Sequence, residues 1–232
     1  MTTLFIAEHI SKSFHLRPVL RDVSFSLHAG ETVLLFGRNG AGKTTLLRIL
    51  AGIMRPEAGT ANLNGQPLFT PNGRWRKDMI YLGHRPILYP AFTARENLML
   101  SVRLRKQVWD EKAFHNLMAC YGLAGREDEA IRVYSEGMLQ RLGLIRLELA
   151  AWQVALLDEP SAALDVEGAD LLSDTIARWR SQGRTVFFTS HDLGWGATQA
   201  NRALLLDLGI IRQEVAAPKA DILVSHMKCG CS

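Results

Sequence analysis

A glycine-rich segment holds the residues that are most readily assigned a chemical role. Residues 37–44 fit the spacing G-x-x-x-x-G-K-T and lie between an apolar run, Thr32 to Phe36, and a pattern typical of a helix. Glycines let backbone N–H groups turn toward phosphate oxygens, and the amino end of the next helix attracts the same anions. We expect Lys43 to reach the β- and γ-phosphates of a nucleotide and Thr44 to offer its hydroxyl to Mg²⁺. The alternative is an ordinary glycine-rich turn. The predicted phosphate-binding residues are Gly37, Arg38, Asn39, Gly40, Ala41, Gly42, Lys43, Thr44 and Thr45.

A second apolar run ends abruptly in two acids. Val154 to Leu157 has the pattern of a buried strand, and Asp158 and Glu159 follow it directly. Asp158 is the expected carboxylate partner of Mg²⁺, and Glu159 is the candidate general base that orients an attacking water. With a phosphate loop in the same chain, this chemistry is favoured over a plain acidic turn.

These residues require a scaffold of alternating strands and helices. Further β-rich runs are predicted at Thr185 to Thr189 and Arg202 to Leu206, and an amphipathic helix at Ala169 to Arg180. Such alternation predicts a parallel sheet flanked by helices. Near the amino terminus the pattern indicates shorter strands and a tight hairpin turn at Asn64-Gly65. Helix formers with many charges dominate from about Thr93 to Leu149, with breaks at Tyr121-Gly122 and around Ser135 to Gly137.

Composition limits the cellular setting of the protein. The 232 residues carry a formal net charge of +4, and several basic residues are clustered. Such clusters are either plain solvated faces or surfaces that attract nucleotide, nucleic acid or an anionic membrane. Nucleic acid is the disfavoured partner. No signal peptide or membrane-spanning run is predicted, and three cysteines are too few for a disulfide framework, so we expect the cytosol. Cys229 and Cys231, near His226, lack a complete set of metal ligands.

Ser135-Glu136-Gly137-Met138, followed by Gln140-Arg141, resembles the signature motif of the ABC superfamily. The usual form is L-S-G-G-Q, and this chain is similar to the S-x-G-M-x-Q-R variant of several exporter subfamilies. Ser135 can donate a hydroxyl hydrogen bond, and Gly137 can present a bare N–H at a helix amino end that favours anions. A Ser-x-Gly helix start also occurs in many unrelated proteins.

Three further segments extend the resemblance over nearly the whole chain. Ser161 to Asp165 resembles the family's D-loop, and Ser190-His191-Asp192 resembles its switch histidine. The resemblance implies that His191 contacts the γ-phosphate, although an isolated His-Asp pair is more often a polar turn. Phe14 matches the aromatic residue that stacks on adenine in the family, or it is a core phenylalanine.

His84 indicates a subfamily. In Ile80 to Pro86, it occupies the position where most family members carry the Q-loop glutamine, and Gly-His-x-Pro resembles the ATP-binding subunits of the haem exporters of cytochrome c biogenesis. Glu96-Asn97-Leu98 also suits that group. Histidine can donate a hydrogen bond and ligate Mg²⁺ through water as glutamine does, and it can also titrate. Our hypothesis is that His84 links nucleotide state to a membrane partner.

The resemblance implies an α/β fold of the P-loop NTPase type, with a RecA-like core, an antiparallel β-subdomain and a helical subdomain. Residues 1–232 then form one nucleotide-binding domain, with 1–90 and 150–232 as core and β-subdomain and about 91–149 as the helical subdomain. It implies an ATP hydrolase that uses ATP and Mg²⁺, pairs with a second copy of itself, and works with integral-membrane permease subunits at the cytoplasmic side of the inner membrane.

Two alternatives remain for the function. The chain could serve a drug, polysaccharide or peptide exporter, since those share the signature variant. A soluble ABC protein acting on ribosomes or DNA is disfavoured, because the segment between Thr44 and Ser135 has no sustained heptad pattern.

Overall fold

The computed structural model describes residues 2–70 and 73–229, without the side chains of the last two, Lys228 and Cys229. Within these ranges the strands are β1 (Thr3–Phe14), β2 (Arg17–His28), β3 (Thr32–Phe36), β4 (Ala58–Leu63), β5 (Gln66–Pro67), β6 (Met79–Leu82), β7 (Val154–Leu157), β8 (Thr185–Thr189), β9 (Arg202–Asp207) and β10 (Ile210–Ala216). The helices are α1 (Lys43–Leu50), α2 (Ala94–Leu104), α3 (Glu111–Cys120), α4 (Glu136–Glu148), α5 (Val166–Ser181), α6 (Leu193–Gln199) and α7 (Ala220–Cys229).

A six-stranded sheet runs through the core in the order β10-β9-β3-β8-β7-β6. Its inner strands are parallel, as predicted, and β10 alone pairs antiparallel, with β9. Successive side chains of a strand point to opposite faces, so β3 places Leu34 in one apolar cluster and Leu35 in the other. Every residue of β3, β7 and β8 is buried, which explains their nearly continuous apolar sequence.

A four-stranded antiparallel sheet, in the order β2-β1-β4-β5, covers one face of the larger sheet. The turn between β4 and β5 is the predicted Asn64-Gly65 pair. Both residues have positive φ, 51° and 72°, as a two-residue hairpin turn of this hand requires. The end of β1 brings Phe14 toward the carboxyl end of β3.

Helices α2, α3 and α4 lie between β6 and β7 in the chain. The two predicted breaks are present, after Cys120 and before Glu136, while the break between Leu104 and Glu111 is not predicted from the sequence. Each begins at a side chain that caps its free N–H groups, and these caps are Thr93, Asp110 and Ser135. The subdomain boundaries stay a prediction.

Two half-buried arginines attach these helices to the sheet edge. Arg146 of α4 donates through Nη2 to the carbonyl of Tyr81, at 2.6 Å. Arg105, just after α2, donates to four carbonyl oxygens at 2.6–3.3 Å, those of Arg76, Lys77, Met79 and Ala151. Burial lowers the pKa of Arg146 to about 10, with a further contribution from Arg105.

The strands β6 and β10 and the helices α6 and α7 are not predicted from the sequence. β6 has only four residues between Asp78 and Gly83, too few to show a period. In the described part of the chain, no helix is long and apolar enough to cross a membrane. The side chain of Cys229, and Cys231 as a whole, lie outside the described residues, so the expectation about them is untested.

Candidate active site

The carboxyl ends of four parallel strands meet at one edge of the six-stranded sheet. β3, β8, β7 and β6 are neighbours in that order, and a predicted functional segment follows each. A cavity of about 590 Å³, here called the strand-end cavity, opens at this edge. Its lining residues are Phe14, Val19, Asn39, Gly40, Gly42, Lys43, Thr44, Thr45, Arg48, His84, Asp158, Glu159 and His191. Most of the predicted site residues therefore lie together, where open α/β sheets bind ligands.

The phosphate loop, residues 37–44, needs glycine for steric reasons that the structure makes explicit. Gly37 has φ +153°, and a Cβ there would lie 2.0 Å from the carbonyl oxygen of Leu206. Gly42 has φ +106°, and its Cβ would meet the backbone of Val19 at 2.9 Å. Any larger residue at either position would displace the loop from the sheet.

Lys43 is buried at the amino end of α1. Its Nζ donates to the carbonyl oxygens of Gly37, at 2.8 Å, and Arg38, at 3.1 Å. Burial lowers the pKa of this ammonium group, while Glu159 and Asp158 act in the opposite direction. An anion in the cavity would meet a poorly solvated positive charge, which binds it more strongly than a charge in water does.

Two hydroxyl groups hold Asp158 at the end of β7. Its Oδ1 accepts hydrogen bonds from Thr44 Oγ1, at 3.1 Å, and from Thr189 Oγ1, at 3.0 Å. Its Oδ2 is buried and has no hydrogen-bond partner among the described residues. A buried carboxylate oxygen without a donor, next to a threonine hydroxyl, fits the oxygen ligands that Mg²⁺ prefers.

Glu159 lies in an uncommon backbone conformation and a partly dry environment. Its φ is +54°, and its N–H donates to Thr189 Oγ1 at 2.9 Å. Its carboxylate accepts from the backbone N–H of His191, at 2.9 Å, and lies 3.3 Å from the Nε2 of that residue. Burial raises the pKa of Glu159, and the nearby His191 and Lys43 offset part of this rise. A raised carboxyl pKa makes a stronger general base.

Two other predicted residues lie at the rim of the strand-end cavity. Phe14 is 40% exposed, with Lys12 Nζ 5.5 Å from its ring centre, so it is not a core phenylalanine. A ring that is open on one face can stack on a flat ligand. His84 is exposed just after β6 and lines the strand-end cavity.

The remaining predicted residues lie outside the strand-end cavity. Gly37 and Arg38 line an adjoining hollow with Asn39 and His191. Ala41, which belongs to the phosphate loop, has a buried side chain. Ser135 and Gly137 line a different hollow, at the start of α4. Within this chain the structure does not bring them to the phosphate loop.

Sequence reasoning missed several residues of the site. Thr189 is fully buried, and its Oγ1 donates to the carboxylate of Asp158 and accepts from the backbone N–H of Glu159. A hydroxyl at the end of an apolar strand was the available signal. Tyr81 was also missed. Burial raises the pKa of its hydroxyl, as does the charge of Asp158, while Arg48 lowers it. No feature of the sequence indicates this grouping.

Comparison with known proteins agrees with this geometry. The family model for ABC transporters matches residues 20–162. The chain is 39% identical over 175 residues to the cytochrome c biogenesis ATP-binding export protein CcmA of Escherichia coli K12, which covers 75% of this chain and 83% of the relative. The CcmA protein of Shigella flexneri is similar to the same extent.

Solved structures share the fold. The ATP-binding subunit of an ABC transporter superimposes with a TM-score of 0.88 at 23% identity, covering 97% of this chain and 99% of that chain. A dimeric ATP-binding cassette in a post-hydrolysis state, bound to ADP and Pi, superimposes with a TM-score of 0.85 at 20% identity, covering 93% and 99%.

Proposed function

The chain belongs to the ABC transporter family as an ATP-binding subunit, and we propose that it drives an exporter in cytochrome c biogenesis whose cargo is haem. The observation that carries the ATPase chemistry is the presence of Lys43, Asp158 and Glu159 in one cavity. The export process is proposed from the CcmA relatives and from the Gly-His-x-Pro segment at His84.

ATP would lie along the strand-end cavity with its phosphates in the phosphate loop. Backbone N–H groups of the loop and the ammonium group of Lys43 would hold the phosphate oxygens. The exposed face of Phe14 would stack on adenine. Thr45 and His191, which also line the strand-end cavity, complete the residues that we propose to bind the nucleotide.

Thr44 and Asp158 are the proposed holders of Mg²⁺, with His84 contributing through water. The unpartnered Asp158 Oδ2 and the adjacent Thr44 hydroxyl support this assignment. When bound, the ion neutralises negative charge on the β- and γ-phosphates.

Glu159 is the proposed general base. Its carboxylate would accept one proton from a water molecule as the water oxygen forms a bond to the γ-phosphorus. The bond between that phosphorus and the β–γ bridging oxygen breaks, and ADP leaves with the electron pair. His191, held beside Glu159, would donate a hydrogen bond to the departing phosphate.

A second copy of the chain would complete each ATP site. Ser135 and Gly137 lie in a hollow of their own at the amino end of α4, where they could meet the phosphates of a nucleotide on another copy. The dimeric cassette among the structural relatives, bound to ADP and Pi, supports a paired arrangement. Loss of the γ-phosphate contacts would then open the pair.

A groove of about 530 Å³ is the proposed contact for an integral-membrane permease subunit. Apolar residues such as Leu88 and Leu139 line it, with Arg85 and Glu136 also present. His84 lines both this groove and the strand-end cavity, so one side chain can sense the nucleotide and the partner. The subunit would then be peripheral, at the cytoplasmic side of the inner membrane.

Exchange of Glu159 for Gln tests the proposal. The variant keeps the size of the side chain and removes the base, so we expect ATP binding to persist and turnover to fall about 100-fold or more. The trapped pair should elute as a dimer in size-exclusion chromatography. In cells that depend on this gene, mature c-type cytochromes should be lost. Glu129→Gln, which makes the same change at an exposed position between α3 and α4, is the control.

The outcomes separate the parts of the proposal. Wild-type turnover in Glu159→Gln would remove Glu159 as the base. Lost turnover with normal c-type cytochromes would instead favour a drug, polysaccharide or peptide exporter.

A further inference from the structure

The loop formed by residues 160–165, which follows Glu159, is fixed to helix α4 at three points. Gln140 Nε2 donates to the carbonyl oxygen of Pro160 at 2.9 Å. Arg141 Nη2 donates to Asp165 Oδ1 at 2.7 Å. Gly137 packs so closely that a Cβ there would lie 2.9 Å from the carbonyl oxygen of Ala163. The start of α4 and this loop therefore move as one body.

Gln140 is the contact nearest to the candidate base. Gln140 is 1% exposed, between Leu139 and Arg141 of α4, and its Oε1 has no partner in the described part of the chain. An unsatisfied amide oxygen in the core costs free energy that an apolar residue would avoid. The hydrogen bond to the carbonyl oxygen of Pro160 is therefore the contribution that explains an amide at this buried position.

The backbone at Glu159 makes its side chain sensitive to that bond. A φ of +54° is unfavourable for a non-glycine residue and persists only where neighbours hold it. Thr189 holds the N–H on one side of Glu159, at 2.9 Å, and Gln140 holds the next carbonyl on the other side. Without the second anchor the residue can relax toward an ordinary conformation, which turns the carboxylate away.

We propose that Gln140 is a positioning residue that links the Ser135 end of α4 to the carboxylate of Glu159. The inference rests on the proposed function, in which Ser135 meets the nucleotide of the second copy and Glu159 serves this copy's own nucleotide. A displacement of α4 at one ATP then reaches the base at the other through the loop after Glu159, and the Gln140 amide is the contact that holds Pro160, the residue next to that base. Each hydrolysis step depends in this way on the neighbouring site.

Exchange of Gln140 for Met tests the link, because Met has a similar length and no donor. We expect kcat to fall about 10-fold with KM changed less than about twofold, since a misplaced base affects the reaction and not the binding of ATP. Gln107→Met is the matched control, since Gln107 also donates to a carbonyl, that of Ala151, at the opposite end of β7.

A second comparison tests the connection to Ser135. Combining Gln140→Met with Ser135→Ala should lower kcat by less than the product of the separate factors, because both act through the same amide. A multiplicative result, or a change in KM as large as the change in kcat in Gln140→Met, would overturn the proposal. If Glu159→Gln abolishes turnover while Gln140→Met matches the wild type in kcat, only this inference fails.

Discussion

Exchange of Thr189 for Val removes the hydroxyl that links the Asp158 carboxylate to the backbone of Glu159 and leaves the shape of the side chain nearly unchanged. Thr189 is fully buried, and its Oγ1 donates to Asp158 and accepts from the N–H of Glu159. Loss of a hydrogen bond to a charged group costs about 1.5–3 kcal/mol, and a buried N–H left without a partner costs about 1–3 kcal/mol. Asp158 keeps its bond from Thr44, so we expect a total near 3 kcal/mol.

In a domain of this size, about 3 kcal/mol lowers Tm by roughly 6–12 °C. Thr189→Ser is the control, since it keeps the hydroxyl and loses one methyl group, which costs about 1 kcal/mol or roughly 2–4 °C. Thermal unfolding followed by circular dichroism measures both values. If Thr189→Val lowers Tm no more than Thr189→Ser, the hydroxyl does not stabilise the fold by linking Asp158 to the backbone of Glu159.

Two further predictions concern the rim of the strand-end cavity. Phe14→Ala should raise the Kd for ATP about 10-fold, since stacking on a base contributes about 1–3 kcal/mol. Phe14→Trp should keep the affinity. Equal ATP titration curves for Phe14→Ala and the wild type would exclude stacking. His84→Ala should disturb ATP turnover or its coupling to the membrane partner, measured with the chain alone and with the purified complex; intact values in both would remove His84 as a link.

Much of the parallel core could be predicted from the sequence, because its signals are local. The runs that became β3, β7 and β8 are short, apolar and followed by chemistry-bearing residues, so their order along the chain implied a common edge. Helix breaks at Tyr121-Gly122 and Ser135 were also visible. β6 and β10 lacked such signals, since β6 is too short and β10 alternates only weakly on an exposed edge.

The contacts between distant segments could not be predicted. Thr189 and Asp158 are 31 positions apart, and the Gln140 amide meets a carbonyl 20 positions away. Both bonds depend on how strands and helices pack, which a period in the sequence does not encode. Ser135 is a predicted site residue, but the position of α4 places it in a separate hollow, away from the strand-end cavity.

The attachment of α2 and α4 to the sheet edge has a consequence for ionic strength. Arg105 and Arg146 donate to backbone carbonyls, which carry no net charge, so dissolved salt weakens these bonds less than it weakens an ion pair. The ion pair of Arg95 with Asp128 on the outer side of the same helices is open to such competition. At high salt the ion pair of Arg95 with Asp128 is therefore weakened, while the bonds that hold α2 and α4 to the sheet edge persist.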